Sequence, residues 1–123
     1  MGLDMYFYVE NRSEDKIREK EEFSYYRKFN ALQGYFERNF QLENCGKILI
    51  TEEIREDLLN IINEILEDQN KAAELLPVHQ GFFYGTYEYD DFYFQSIYSL
   101  EKDLIHMKFI DYDNYDLYYT SNW

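Results

Sequence analysis

Over residues 54–66 the aliphatic side chains fall at Ile54, Leu58, Ile61, Ile62, Ile65 and Leu66, a spacing that gathers them on one face of an α-helix. Thr51 stands where an N-cap oxygen belongs, and Glu52, Glu53, Glu56 and Asp57 oppose the positive end of the helix macrodipole. A helix with a single apolar face is stable only against a second layer. Residues 3–9 and 117–123 offer one, since both runs are dense in aromatic and aliphatic side chains and read as strands of the same sheet.

The remaining elements follow from spacing and punctuation. Tyr25, Phe29, Leu32, Phe36 and Phe40 recur at helical intervals and predict a helix over 23–40, with Tyr26, Arg27, Lys28 and Asn30 off its stripe. Gly34 within it costs up to ~1 kcal/mol relative to Ala and marks either a close approach by another element or a tolerated interruption. Residues 10–22 are expected to form a charged excursion or a solvated helix start, Cys45-Gly46 a turn, and 47–50 a short strand. A turn over 71–76 ends at Pro77, and a strand over 80–84 is broken by Gly85. Asp90 or Asp91 caps a third helix whose stripe is Tyr93, Ile97, Leu100, Leu104 and Met107. Residues 111–116 form an acidic turn. The expected fold is a single α+β domain over 1–123, a small sheet of about four strands packed with about three helices.

Composition narrows the function classes. Of the net charge of −13, residues 51–123 carry nearly all, with 16 Asp and Glu against four Lys and Arg, while residues 1–50 hold nine acids and eight bases. Hydrophobic residues at 46% and aromatics at 20% separate the chain from disordered acidic tails. Such a charge excess attracts basic surfaces and repels free nucleic acid. Cys45 is the only cysteine, which excludes an internal disulfide and suits a cytoplasmic protein. The start has no basic n-region and apolar run, Tyr6 replaces the Ser or Thr of a myristoylation motif, and no membrane span is expected.

No catalytic set stands out. Cys45 reads as a packed thiol, and His79 as a loop residue; the other histidine is His106. Glu88, Asp90, Asp91 and His79 match no calcium or zinc spacing, and Gly81 and Gly85 lack the Lys-Ser or Lys-Thr of a phosphate loop. The chain is expected to be no enzyme and to use no metal or cofactor.

The opening Met1-Gly2-Leu3-Asp4-Met5-Tyr6 resembles the start of a family of small uncharacterised bacteriophage and prophage proteins. Tyr26-Arg27-Lys28 with Asn30, then Leu75-Leu76-Pro77, Gly81-Phe82-Phe83-Tyr84-Gly85, Glu88-Tyr89-Asp90 with Tyr93, and Tyr118-Tyr119 through Ser121 to Trp123 are similar to further blocks of that family. The resemblance implies phage origin and an accessory role against host defences.

Two binding modes are compatible with these residues. In the first, Tyr84, Tyr87, Glu88, Tyr89, Asp90, Asp91, Asp111, Asp113 and Asp116 form an acidic, tyrosine-rich face. It occupies the basic surface of a nucleic-acid-handling host protein, such as a CRISPR effector, with carboxylates where phosphates would sit. The partner is then a basic protein, not nucleic acid or membrane, and the chain is a monomer or homodimer. In the alternative, Tyr26, Arg27, Lys28, Asn30, Phe83 and Tyr84 line a pocket that sequesters a nucleotide-derived defence signal.

Overall fold

The computed structural model describes residues 2–12, 20–81 and 87–123. Strand alternation organises it. In β1 (Asp4–Asn11) Met5 and Phe7 point inward and are fully buried, while Tyr6, Tyr8 and Glu10 point to the other face. β2 (Lys20–Arg27) pairs antiparallel with one side of β1, and a register shift opposite Phe7 and Tyr8 leaves Phe23 as the extra residue of a bulge. β4 (Tyr115–Asn122) pairs antiparallel with the other side, and β3 (Lys47–Leu49) with the outer side of β4, giving the order β2-β1-β4-β3.

Four helices are described: α1 (Asn30–Phe40), α2 (Glu52–Glu67), the single turn α3 (Ala72–Leu75) and α4 (Asp91–His106). Side-chain oxygens cap the two long ones as expected, Thr51 Oγ1 accepting from Ile54 N–H at 3.2 Å and Asp90 Oδ1 from Tyr93 N–H at 3.1 Å. The core is a sandwich of the inner sheet face and the helices, with Phe36 of α1 stacked on Tyr119 of β4 at 3.9 Å between ring centroids. This is the expected α+β architecture of one small sheet with helices packed on it.

Three segments differ from expectation. Of residues 10–22, expected as a charged excursion or helix start, 10–11 end β1 and 20–22 begin β2, while 13–19 lie outside the described residues. Residues 23–27 are strand, and the helix begins only at Asn30, after Lys28 takes a left-handed conformation (φ 58°) and donates its N–H to Leu3 O at 2.8 Å. Strand alternation therefore decides burial: Tyr26 is 8% exposed and Tyr25 45%, the reverse of the helical stripe. Gln80 and Gly81 have no regular structure, and the rest of the expected 80–84 strand lies outside the described residues.

Gly34 marks a close approach. A Cβ there would lie 2.6 Å from His79 Cβ and 2.8 Å from Arg38 Nη1. The segment after Pro77 is held on α1 by His79 N–H donating to Asn30 Oδ1 at 3.0 Å and by His79 Nε2 facing Glu37 Oε2 at 2.9 Å. Gly34→Ala gains up to ~1 kcal/mol of helix propensity, but the overpacking against a near-backbone atom costs about 1–3 kcal/mol. The expected result is a net loss of stability in urea denaturation, relieved when His79→Gly is added to remove the clashing atoms.

Candidate functional site

The carboxylates expected to form one face occupy two ends of α4. At its N-terminal end Glu88 and Asp91 are exposed, and Asp90 caps the helix. Beside them Tyr89 OH accepts from Val78 N–H at 3.1 Å and Tyr87 OH donates to Gly81 O at 2.8 Å, so both phenols anchor the preceding loop while their rings remain exposed. Tyr84, with Phe83 of the alternative pocket, lies outside the described residues. At the other end Asp111 accepts from Asp113 N–H at 3.2 Å and from Asn114 Nδ2 at 2.7 Å, closing the turn before β4. Asp116 is already in β4, its carboxylate neutralised by Arg12 at 2.8 Å. Sixteen helical residues at 1.5 Å each separate the two groups by about 24 Å.

α2 spans that gap. Arg55, near its start, donates from Nη1 to Leu104 O near the end of α4 at 3.2 Å, and Tyr93, at the start of α4, donates from its hydroxyl to Leu76 O beyond the end of α2 at 2.7 Å. The two helices thus run antiparallel. At 100° per residue Glu53, Glu56, Asp57, Glu64 and Glu67 fall within one sector of α2, opposite Leu58, Ile62 and Ile65, which are fully buried; these five and the C-cap Asp68 are exposed. The early members lie toward the Asp111 and Asp113 end, the late ones toward Asp90 and Asp91. Together they form an anionic band along the helical layer.

On α2 only Arg55 opposes this band, and among its members it acts on Glu56. Arg55 is buried and paired with Glu52 at 2.5 Å. The Arg55 hydrogen bond holds the Glu52 carboxyl below its ordinary range, and the same contact raises the guanidinium. Tyr35 of α1 donates to Asp57 at 2.7 Å; burial, then this bond, pushes its phenol well above the ordinary value, so it stays a donor. Asp57 is thereby fixed within the band. Before the fold is known, the α2 acids read as local helix-start chemistry, although their common sector is inherent in the helical spacing.

The alternative pocket is divided. Tyr26 and Arg27 line a cavity of about 290 Å³ between β2 and α4, with Phe92, Gln95 and Ser99 across it. Tyr26 OH donates to Asp103, and its phenol is raised first by burial and then by that bond. Lys28 and Asn30 face a separate, far smaller crevice shared with Val78 and Glu88, and Asn30 Oδ1 is engaged by His79. Cys45 is exposed and not a packed thiol, because the Cys45-Gly46 turn holds it in a left-handed conformation (φ 62°) at the surface. Among the described residues no group of three or more His, Cys, Asp or Glu could hold a metal ion, and no helix is long and apolar enough to cross a membrane.

The molecule is thus an α+β protein in which the described helices form an anionic layer on one face of a four-stranded sheet. No family model matches this chain, and no curated protein or solved structure is similar to it.

Proposed function

We propose that this chain is a phage-encoded acidic, tyrosine-rich binding protein that inhibits a basic, nucleic-acid-handling host defence protein by occupying its nucleic-acid surface. The observation that carries the reading is the row of exposed carboxylates on α2, which has no exposed cation of its own and joins the two acidic ends of α4. Carboxylates in an ordered row attract a Lys- and Arg-rich groove, steer encounter and exclude partners of the same sign. Tyr87 and Tyr89, exposed at one end of the band with their hydroxyls held by backbone groups, present apolar ring faces suited to anchoring an interface. The choice of a host defence protein as partner rests on the resemblance of the sequence blocks to small uncharacterised phage proteins, which implies an accessory role.

Charge complementarity over a broad face weakens with ionic strength, because the Debye length shrinks from ~10 Å at 0.1 M to about 4 Å at 0.5 M salt. Capture from bacterial lysate on the immobilised chain is expected to retain a basic nucleic-acid-binding protein at 0.1 M salt, to lose most of it at 0.5 M, and to lose it equally to added duplex DNA or RNA. Retention that ignores both salt and nucleic acid sinks the proposal.

A further inference from the structure

The outer face of the sheet carries a tyrosine cluster remote from the anionic band. Strand register sets Tyr25, Tyr6, Thr120 and Lys47 in one row across the sheet, and Glu22, Tyr8, Tyr118 and Leu49 in the next. Tyr6 and Tyr25 lie 5.1 Å apart and Tyr8 stacks on Tyr118 at 5.6 Å between centroids. A groove of about 340 Å³ opens over Tyr6 and Tyr8. Lys20 and Glu22 of β2 wall one side; Lys47, Thr120 and Cys45 wall the other.

Both lysines reach over the aromatic floor. Lys20 Nζ sits 5.6 Å from the Tyr8 centroid and Lys47 Nζ 4.4 Å from that of Tyr118. Lys47 meets Glu10 at 3.5 Å, a loose contact for an ammonium that is half exposed, and no described carboxylate pairs with Lys20. In a chain with 25 acids and 12 bases, two such cations against Glu22 in the wall and Glu10 beside Lys47 make this groove locally neutral, a departure from the overall charge pattern.

We infer that this groove binds a nucleoside monophosphate, its base against Tyr6 and its phosphate between Lys20 and Lys47. The half-buried Tyr6 ring offers a stacking surface that a base uses, backed by the buried Tyr8, and ammonium groups supply charge-assisted donors to phosphate oxygens. Glu22 and the Thr120 hydroxyl complete the lining with partners for a base edge or ribose hydroxyl. The volume, at the low end of ligand-pocket sizes, suits one nucleotide. Net charge selects against anything longer, since a ligand with one or two charges meets a repulsion that physiological salt largely screens, whereas a polynucleotide accumulates it along its length.

Cys45, the sole thiol and a residue of the groove wall, is a built-in reporter. The full chain is titrated with AMP, GMP, CMP and UMP, following Cys45 alkylation by iodoacetamide and amide resonances by NMR. At least one nucleotide is expected to slow alkylation and to shift Tyr6, Tyr8, Lys20 and Lys47 saturably, more strongly than the matching nucleoside or inorganic phosphate alone. Lys20→Glu and Lys47→Glu should each weaken binding about tenfold, as loss of one charge-assisted hydrogen bond implies. Tyr6→Ala should lower affinity about tenfold through lost stacking, and Tyr98→Ala on α4 should leave it unchanged. Lys20 is exposed and has no described ion pair, so Lys20→Glu tests the site even where Tyr6→Ala, or Lys47→Glu beside the buried Glu10, perturbs folding. Absence of saturable shifts at millimolar nucleotide, a response equal to that of phosphate alone, or unchanged affinity in both lysine variants overturns the inference.

Discussion

Phe36→Ala is expected to destabilise the fold by about 3–5 kcal/mol, the range for removing a fully buried aromatic side chain from a packed core. Phe36 has no solvent exposure, stacks on Tyr119 at 3.9 Å with an interplanar angle of 19°, and meets Phe7 edge-on at 6.3 Å. One ring thus ties α1 to the two central strands. Its loss leaves a void bounded by side chains that are themselves pinned: Tyr119 OH donates to Gln33 Oε1 at 2.5 Å, and Phe7 lies edge-on to Tyr26, whose hydroxyl is bonded to Asp103. Neither ring can swing into the space without breaking a buried hydrogen bond or an aromatic contact. Since a domain is commonly stable by only ~5–15 kcal/mol in total, the variant should show a sharply lowered urea midpoint. A loss below about 1 kcal/mol would mean that α1 is not seated on the sheet as described.

The parts of this fold that can be read from the linear chain are those in which local chemistry and burial agree. α2 and α4 combine helical periodicity with a capping side chain, and β1 and β4 carry aromatic runs that pair as expected. Residues 23–27 are illegible for a definite reason. Tyr25 and Phe29 are four apart and continue the α1 stripe, yet β2 is an edge strand paired on one side only, and its Glu21, Glu22 and Arg27 dilute the alternation that would identify it. Tyr26 is buried because it opposes Met5 in register, a fact about another strand. The same limit applies to the sites. That Glu53, Glu56, Glu64 and Glu67 share a sector follows from their spacing, but the antiparallel seating of α2 on α4, which turns three acidic groups into one band, depends on Arg55 meeting Leu104. The sheet groove is more remote still, since it assembles residues 6, 8, 20, 47 and 120 from all four strands.

Reversing four charges on α2, with Glu53→Lys, Glu56→Lys, Glu64→Lys and Glu67→Lys together, should abolish association with the basic partner while sparing the fold. All four side chains are exposed and none takes part in a hydrogen bond that caps or closes an element, so circular dichroism should change little and the stability loss should stay within about 1–2 kcal/mol, the cost of placing Lys at the positive end of the helix dipole. At an interface between complementary charges each lost pair is worth on the order of 1 kcal/mol, and reversal adds repulsion of similar size, so four sites together imply a weakening of at least about 10³-fold. Lysine keeps helix propensity close to that of glutamate, which separates charge from structure. The matching isosteric set, Glu→Gln at the same positions, removes attraction without adding repulsion and should fall between the variant and the parent in a salt-dependent manner. A graded series measured by calorimetry or surface plasmon resonance against the captured protein would place the contact on this helix. If the four-lysine variant binds as tightly as the parent, α2 is not the contact surface, and the carboxylates beside Tyr87 and Tyr89 at the start of α4 become the remaining place for it.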